Sequence, residues 1–338
     1  SVNIFWGVFS NLLQNLLFSA FFIVVARKYN SNDFGSYILS NTLYGMVLAF
    51  SSLGLGQWFI RALLGTQDTF DLIYKFLKIQ IIVGFVFYFI NVLFAFAIYT
   101  TPLIRDLSII IGINIIFDNI IYVIKYVNIA QFNQKRTFSI LTIEAFLKCI
   151  VACFLFISPI PVLYLSFVLI LLRLISLNLF VKYGTSEKLQ LYKVWTTSVS
   201  YLEFSKILGN NFFFIVIGSI SVIYWKVGNL LISKLLALKE VTIYEISFKF
   251  FSIAEVLPTI ASSTVFPVLV KLYKEQNRVD HEYFKKNFLG YALFGLLAFT
   301  FMYSYADWLI PLLFGEKYAL VSKYCVQMFL TILIFPTA

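Results

Sequence analysis

Nine ionisable side chains lie inside long apolar runs of the sequence, where a charge is costly. They are Asp118, Lys125, Glu144, Lys148, Arg173, Lys226, Glu245, Lys249 and Glu255. A charged side chain at the centre of a membrane helix costs at least about 2.5–3.5 kcal/mol, so each of the nine is a candidate functional group. Five of them are basic and four are acidic, a bias that favours an anionic ligand over a cationic one.

Sequence spacing predicts how some of these charges pair. Glu144 and Lys148 are four residues apart, so on one helix they face each other and neutralise one another. The same spacing predicts a pair between Glu245 and Lys249. Asp118 precedes Lys125 by seven residues, which places both on one helix face, two turns apart. These two side chains either line a pathway or pair with other helices.

Arg173 stands near the middle of "VLYLSFVLILLRLISLNLFVK", with no acidic residue on the same helix. One interpretation is a buried ion pair with Asp118 or Glu255. The other is a positive lining for a central cavity, because arginine stays protonated and offers a planar fork that binds phosphate oxygens in pairs. Lys226 is also alone in its run, although its flexible stem allows the ammonium to reach the membrane surface.

A polar stripe runs along the first apolar run, at spacings of three and four residues. It consists of Asn11, Gln14, Asn15 and Ser19. Polar residues in membrane helices commonly form hydrogen bonds between helices. The alternative is the wall of a cavity that faces sugars, and we assign Asn11 and Asn15 to that wall.

Pro258 lies inside the eighth apolar run. Proline removes one backbone hydrogen bond and kinks a helix. We expect a hinge at Pro258, with a static kink as the alternative.

Metal and nucleophilic chemistry find little support in the sequence. Cys149, Cys153 and Cys325 all fall in apolar runs without the spacing of metal ligands, and the one histidine, His281, lies in a connection. We therefore expect no metal, no cofactor and no enzymatic activity.

The elements that position these residues are membrane helices. The chain is 61% hydrophobic and 12% charged, with a mean hydropathy of +0.89, whereas soluble domains are about half apolar and about a quarter charged. A bilayer core requires about 20 apolar helical residues, and these runs are too continuous for barrel strands. The predicted spans are 4–26, 34–58, 73–99, 107–130, 138–157, 161–182, 208–233, 241–269, 288–313 and 319–338. The sequence thus predicts an all-α polytopic membrane protein.

The distribution of Lys and Arg among the segments between spans predicts how the chain is oriented in the membrane. Alternate connections carry 14 Lys and Arg in one set and 7 in the other, so the positive-inside rule places the N-terminus in the cytoplasm. The net charge of +10 then reflects anionic lipid rather than nucleic acid. The longest connection, 183–207, mixes apolar and charged residues as an amphipathic helix on the cytoplasmic surface does. It separates a lobe at 1–182 from a lobe at 208–338.

An internal repeat supports two lobes. Residues 26–40, "ARKYNSNDFGSYILS", align with 233–247, "SKLLALKEVTIYEIS", at a constant offset of 207. The aligned pairs are Arg27 with Lys234, Asp33 with Glu240, Tyr37 with Tyr244 and Ser40 with Ser247. Both segments join the first two helices of a lobe. This is the pattern of two pseudo-symmetric six-helix lobes around a central cavity.

Four stretches carry a family resemblance: "ARKYNSNDFGSYILSNTL", "SSLGLGQWFIR", "LPTIASSTVFPVLVKLY" and "LLFGEKY". They resemble the polysaccharide-export branch, the O-antigen-type flippases, of the multidrug, oligosaccharidyl-lipid and polysaccharide exporter superfamily. Ala26, Arg27, Phe34, Gly35 and Tyr37 match the first external turn of that branch. Tyr29 and Asn30 replace its usual Leu-Gly, and "YWKVGNLLISK" lacks the acidic residue that many relatives carry in the seventh helix.

The resemblance implies a flippase in the bacterial cytoplasmic (inner) membrane. Its substrate would be an oligosaccharide on undecaprenyl diphosphate, moved by alternating access for surface polysaccharide such as lipopolysaccharide O-antigen. We assign the diphosphate to Arg173, Lys125 and Lys226, and ion coupling or pairing to Asp118 and Glu255. Expected partners are membrane lipid, a polysaccharide polymerase and glycosyltransferases.

Two further expectations follow from the resemblance. Members of the superfamily have twelve or fourteen helices, so we expect the C-terminal lobe to continue beyond residue 338. The alternative function is a MATE-like antiporter that couples a cation gradient to the export of a drug or metabolite. Such an antiporter requires an acidic cavity, for which Asp118 and Glu255 are the candidates.

Overall fold

The structure, a computed structural model, describes residues 2–158, 160–185, 189–276 and 281–334. This part of the chain contains helices and turns and no strand, which confirms the all-α prediction for it. The α-helices are α1 (Val2–Lys28), α2 (Ser31–Ser51), α3 (Gly56–Gly65), α4 (Thr69–Ile98), α5 (Pro102–Gly112), α6 (Asn114–Ala130), α7 (Gln134–Ile157), α8 (Val162–Tyr183), α9 (Leu191–Thr196), α10 (Tyr201–Leu235), α11 (Leu238–Gln276), α12 (His281–Phe314) and α13 (Val321–Phe329). Two 3-10 helices follow α12 and α13, at Glu316–Tyr318 and Thr331–Leu333.

Six helical stretches in the described residues are long and apolar enough to cross a bilayer. They are Ser31–Gly65, Thr69–Ile98, Pro102–Ala130, Gln134–Ile157, Val162–Tyr183 and His281–Phe314. The first of these is interrupted between α2 and α3, where Leu53 and Gly54 adopt φ values of 53° and 56°. Helices also occupy the described residues of the remaining predicted spans. The count of ten spans stays a prediction.

The polar connection between α1 and α2 works as a helix cap. The side-chain oxygen of Asn30 accepts hydrogen bonds from the backbone N–H groups of Asn32 (3.0 Å) and Asp33 (2.8 Å). This is the standard way to satisfy the first N–H groups of a helix. The hydroxyl of the preceding Tyr29 donates to the carbonyl oxygen of Ile160 at 2.8 Å. Of the two residues that replace Leu-Gly, Asn30 therefore caps α2. Tyr29 joins the turn to the chain just before α8.

The chain forms two compact units, Ser1–Leu238 and Lys239–Ala338. The first unit includes α10, because α10 packs against α2 and Asn229 Nδ2 donates to Thr42 Oγ1 at 3.1 Å. Near the end of α10, Lys234 donates to the carbonyl oxygen of Ile98. The boundary between the compact units thus follows α10. The boundary between the lobes predicted at 1–182 and 208–338 precedes α10. Those lobe boundaries stay a prediction.

In the second unit, α12 packs against α13 and the final 3-10 helix. A Cβ atom on Gly295 would lie 2.6 Å from the carbonyl oxygen of Ile332, so only glycine permits this approach. The "LLFGEKY" turn after α12 contains Gly315 with a φ of 93°, a backbone conformation that favours glycine. The hydroxyls of Ser262 and Tyr291 lie 2.9 Å apart and join α11 to α12.

In the first unit, α4 and α6 approach closely at Gly84. A Cβ atom there would lie 3.1 Å from the Cα of Ile116 and 3.2 Å from Nδ2 of Asn119. Asn119 is fully buried; it donates to the carbonyl oxygen of Gln80 at 3.2 Å and accepts from the hydroxyl of Ser51 at 2.9 Å. Small residues and hydrogen bonds of this kind hold membrane helices together. Here they fix α6 relative to α2 and α4.

Gly84→Val is expected to destabilise the protein by about 1–3 kcal/mol, because overpacking forces α4 and α6 apart. Gly45→Val in α2 is the matched control, since no atom lies within 4 Å of a Cβ at Gly45. Thermal unfolding in detergent should show a lower midpoint for Gly84→Val than for Gly45→Val. Equal midpoints would contradict the close approach.

Tyr29→Phe is expected to lower the free energy of unfolding by about 1 kcal/mol, the typical net contribution of one hydrogen bond. Burial, with a smaller effect from the charge of Asp33, raises the pKa of Tyr29 from 10.0 to about 12. Because the pKa is higher in the folded state, the contribution of Tyr29 is complete below pH 10 and disappears as the pH rises through 12. Melting curves between pH 8 and pH 12 should converge for wild type and Tyr29→Phe at the alkaline end, with exposed Tyr183→Phe as control. A difference that persists at pH 12 would count against this role.

Candidate functional site

Arg173 on α8 joins two acidic residues from two other helices. Its Nη1 group donates to Oε2 of Glu144 on α7 at 2.5 Å, and its Nη2 group donates to Oδ1 of Asp118 on α6. The Asp118 and Glu144 side chains are 7% and 1% exposed, so both carboxylates are buried. Two N–H groups of one guanidinium thus engage two acids, a geometry that lysine cannot reproduce.

Two further side chains complete this arrangement. The hydroxyl of Tyr44 on α2 donates to the second oxygen of Asp118. The ammonium of Lys148, one turn beyond Glu144 on α7, lies 2.8 Å from the other oxygen of Glu144. We call Tyr44, Asp118, Glu144, Lys148 and Arg173 the arginine cluster. All four carboxylate oxygens in the cluster have a donor, which is the condition for burying such charges.

Lys125 extends the positive charge of the arginine cluster. It lies on α6, half-buried, within electrostatic range of Arg173, Asp118 and Glu144. Within the described part of the chain, Lys125 makes no hydrogen bond and no ion pair within 4.0 Å. Three cations (Lys125, Lys148, Arg173) and two anions (Asp118, Glu144) leave this region with a net charge of +1. Lys125 is the one of these three cations that forms no ion pair within 4.0 Å among the described residues.

Two of the ion pairs suggested by the sequence are present in the arginine cluster. The ion pair of Arg173 with Asp118 is present, and so is the predicted pair of Glu144 with Lys148. The contact between Arg173 and Glu144 was not predicted, because the spacing of Glu144 already supplied Lys148 as its partner. A carboxylate has two oxygens, so the second oxygen of Glu144 could have indicated a second cationic partner.

One member of the polar stripe of α1, Gln14, contacts α7. Gln14 Nε2 donates to the hydroxyl of Thr142 on α7 at 3.2 Å, and the hydroxyls of Ser10 on α1 and Thr142 lie 3.0 Å apart. These contacts are the hydrogen bonds between helices that were one of the two interpretations of the stripe. Asn15 is exposed, and the side chain of Asn11 lies outside the described part of the structure.

The other predicted site residues are on α10 and α11. Lys226 is half-buried on α10, and none of the hydrogen bonds and ion pairs described for the arginine cluster goes to it. Glu255 and Pro258 lie on α11, which runs as one helix through the proline. The hinge at Pro258 stays a prediction.

Comparisons with known proteins identify a family and a fold. A family model described as "polysaccharide biosynthesis protein" matches residues 24–323. A solved structure, the inward-facing conformation of a multidrug resistance MATE family transporter of the MOP superfamily, is similar with a TM-score of 0.72. The two chains are 12% identical, and the alignment covers 96% of this chain and 78% of that one. Curated proteins gave no match. At this identity the structural similarity shows the fold, which is that of MOP transporters.

Arg173→Ala is expected to destabilise the protein by about 3–5 kcal/mol, because it leaves Asp118 buried without a cation. The double variant Arg173→Met with Asp118→Asn removes both charges and should recover most of that loss, since Glu144 keeps Lys148. Thermal midpoints of the purified variants in detergent provide the measurement. A double variant no more stable than Arg173→Ala would show that the ion pair is not the source of the loss.

Proposed function

The chain belongs to the polysaccharide biosynthesis protein family, and from that premise we propose that it is a flippase for a lipid-linked oligosaccharide. The substrate would be an oligosaccharide on undecaprenyl diphosphate, carried across the bacterial cytoplasmic membrane by alternating access. The fold, shared with a MOP-superfamily transporter, supports transport rather than catalysis. This function implies glycosyltransferases that supply the substrate and a polymerase that consumes it.

The chemistry of that substrate explains the requirement for buried positive charge. A diphosphate carries about two negative charges beside sugars that cannot enter hydrocarbon, so the headgroup needs a polar path and cations along it. The net positive charge of the arginine cluster with Lys125 is the observation that carries the proposal. A cluster built for an organic cation would have a surplus of acid instead.

The contacts indicate different roles for the two cations. Arg173 is held by two carboxylates, so we assign it a positioning role that fixes α6, α7 and α8 and contributes to the positive potential. Lys125 has no such partner among the described residues and is available to phosphate. We therefore propose Lys125 as the first phosphate ligand.

The other site residues predicted from the sequence are also part of the proposal. Lys226, Asn11 and Asn15 are proposed as further groups along the path of the headgroup. Asp118 and Glu255 are the candidates for ion coupling, and Pro258 is the candidate hinge. Rocking of one repeat against the other around a mid-membrane site is the general mechanism of repeat-built transporters.

The antiporter alternative is less well supported by the contacts. It depends on acidic groups that can take up a cation, yet Asp118 already accepts hydrogen bonds from Arg173 and Tyr44. The similarity to a multidrug transporter, at 12% identity, extends to the fold alone.

Lys125→Met is expected to lower the rate of flipping at least about tenfold, in line with the loss of one charged hydrogen bond to phosphate of about 1.5–3 kcal/mol. Its thermal midpoint should stay near that of wild type, because no described partner is left unpaired. The assay follows a fluorescent prenyl-diphosphate oligosaccharide across proteoliposomes that contain the full chain. Lys182→Met, which removes an exposed lysine at the end of α8, is the matched control.

Restored flipping in Lys125→Arg would support a charge requirement at this position. A wild-type rate in Lys125→Met would remove Lys125 from the path. Uptake of an organic cation against a gradient, with no flipping by wild type, would replace the flippase with the antiporter.

A further inference from the structure

A cavity lies in the first unit where α4 meets the connection from α9 to α10. Its volume is about 250 Å³. Its walls are apolar and consist of Ile79, Ile82 and Val83 from α4, with Val199 and Phe204 from the connection and α10. The cavity is separate from the arginine cluster and shares no residue with it.

Lys78 places a positive charge at this cavity. Its ammonium group donates to the carbonyl oxygen of Thr197 at 2.7 Å and lies 3.4 Å from that of Trp195. Both acceptors are neutral, and Lys78 has no acidic partner within 4.0 Å among the described residues. An ammonium has three N–H donors, so one remains for a ligand. The hydroxyl of Ser200, which also lines the cavity, forms no capping hydrogen bond with α10.

Exposed aromatic side chains lie beside the cavity on α9. The exposed side chains of Tyr192 and Trp195 on α9 flank the connection, while Val194 between them is buried. Aromatic side chains of this kind favour the level of lipid headgroups. The distribution of Lys and Arg predicts that this end of α4 faces the cytoplasm, where anionic lipids concentrate.

We propose that this cavity binds one anionic phospholipid of the bilayer, with the phosphate at Lys78 and an acyl chain along the apolar wall. Basic pockets between membrane helices on the cytoplasmic side bind anionic headgroups in this way. The site does not depend on which cargo the protein carries. A bound lipid would also hold the connection that carries Trp195 and Thr197 against α4.

Native mass spectrometry of the full chain in detergent tests the proposal. Dioleoyl phosphatidylglycerol and dioleoyl phosphatidylcholine are added separately at equal concentrations. Wild type should retain one phosphatidylglycerol per chain and bind phosphatidylcholine at least about tenfold more weakly, which corresponds to about 1.4 kcal/mol. Lys78→Met should lose the preference, while Lys78→Arg and the control Lys182→Met should keep it.

A second variant separates lipid binding from folding. Lys78→Met also removes the contacts to Trp195 and Thr197, so its loss of binding alone has two explanations. Ile82→Trp leaves Lys78 and those contacts in place and fills the cavity. It should abolish the retained phosphatidylglycerol without lowering the thermal midpoint.

Three results would overturn the proposal. One is equal retention of the two phospholipids by wild type. Another is undiminished retention of phosphatidylglycerol by Ile82→Trp. The third is displacement of phosphatidylglycerol by inorganic phosphate or by a prenyl phosphate at lower concentration, which would assign the site to a free anion or to the substrate lipid.

Discussion

The constraint on which the first unit depends is the placement of a guanidinium at the centre of an apolar helix. Arg173 cannot lose its proton at any accessible pH, so its charge must be balanced by other helices. Asp118 on α6 and Glu144 on α7 provide that balance, and Tyr44 on α2 and Lys148 satisfy the remaining carboxylate oxygens. Arg173 thereby links α6, α7 and α8, and the hydrogen bond from Tyr44 to Asp118 adds α2.

The rest of the packing in that unit is consistent with this requirement. Lipid tails are as apolar as leucine side chains, so hydrophobic burial alone does not hold membrane helices together. Close approach at Gly84 and hydrogen bonds from Asn119 set the position of α6, which in turn places Asp118 opposite Arg173. The hydrogen bond from Asn229 to Thr42 sets the position of α10 against α2. Polar contacts therefore decide the arrangement, and apolar side chains fill the space between them.

The charges of the arginine cluster and of Lys125 relate this arrangement of helices to the proposed transport function. In the arginine cluster, each of the four carboxylate oxygens already has a donor. With Lys125 included, the region has one more cation than anions, and Lys125 is the cation without an ion pair within 4.0 Å among the described residues. Under the proposed function, Arg173 maintains the helix arrangement and Lys125 binds the anionic headgroup. A buried ion pair and a charge that binds substrate can therefore occur side by side in that proposal.

The sequence by itself determined the helical, membrane-spanning class of the protein, the positions of its intramembrane charges and the pair of Glu144 with Lys148. These features depend on composition and on the 3.6-residue turn of a helix, which links residues four apart wherever the helix lies. The hydrogen bond from Tyr29 to Ile160, the contact of Arg173 with Glu144 and the isolation of Lys125 were decided only by the tertiary structure. Arg173 meets its partners across 29 and 55 residues of chain, so the pairing depends on how helices rotate and cross. No local pattern encodes those rotations, because they result from the close packing of several helices at once.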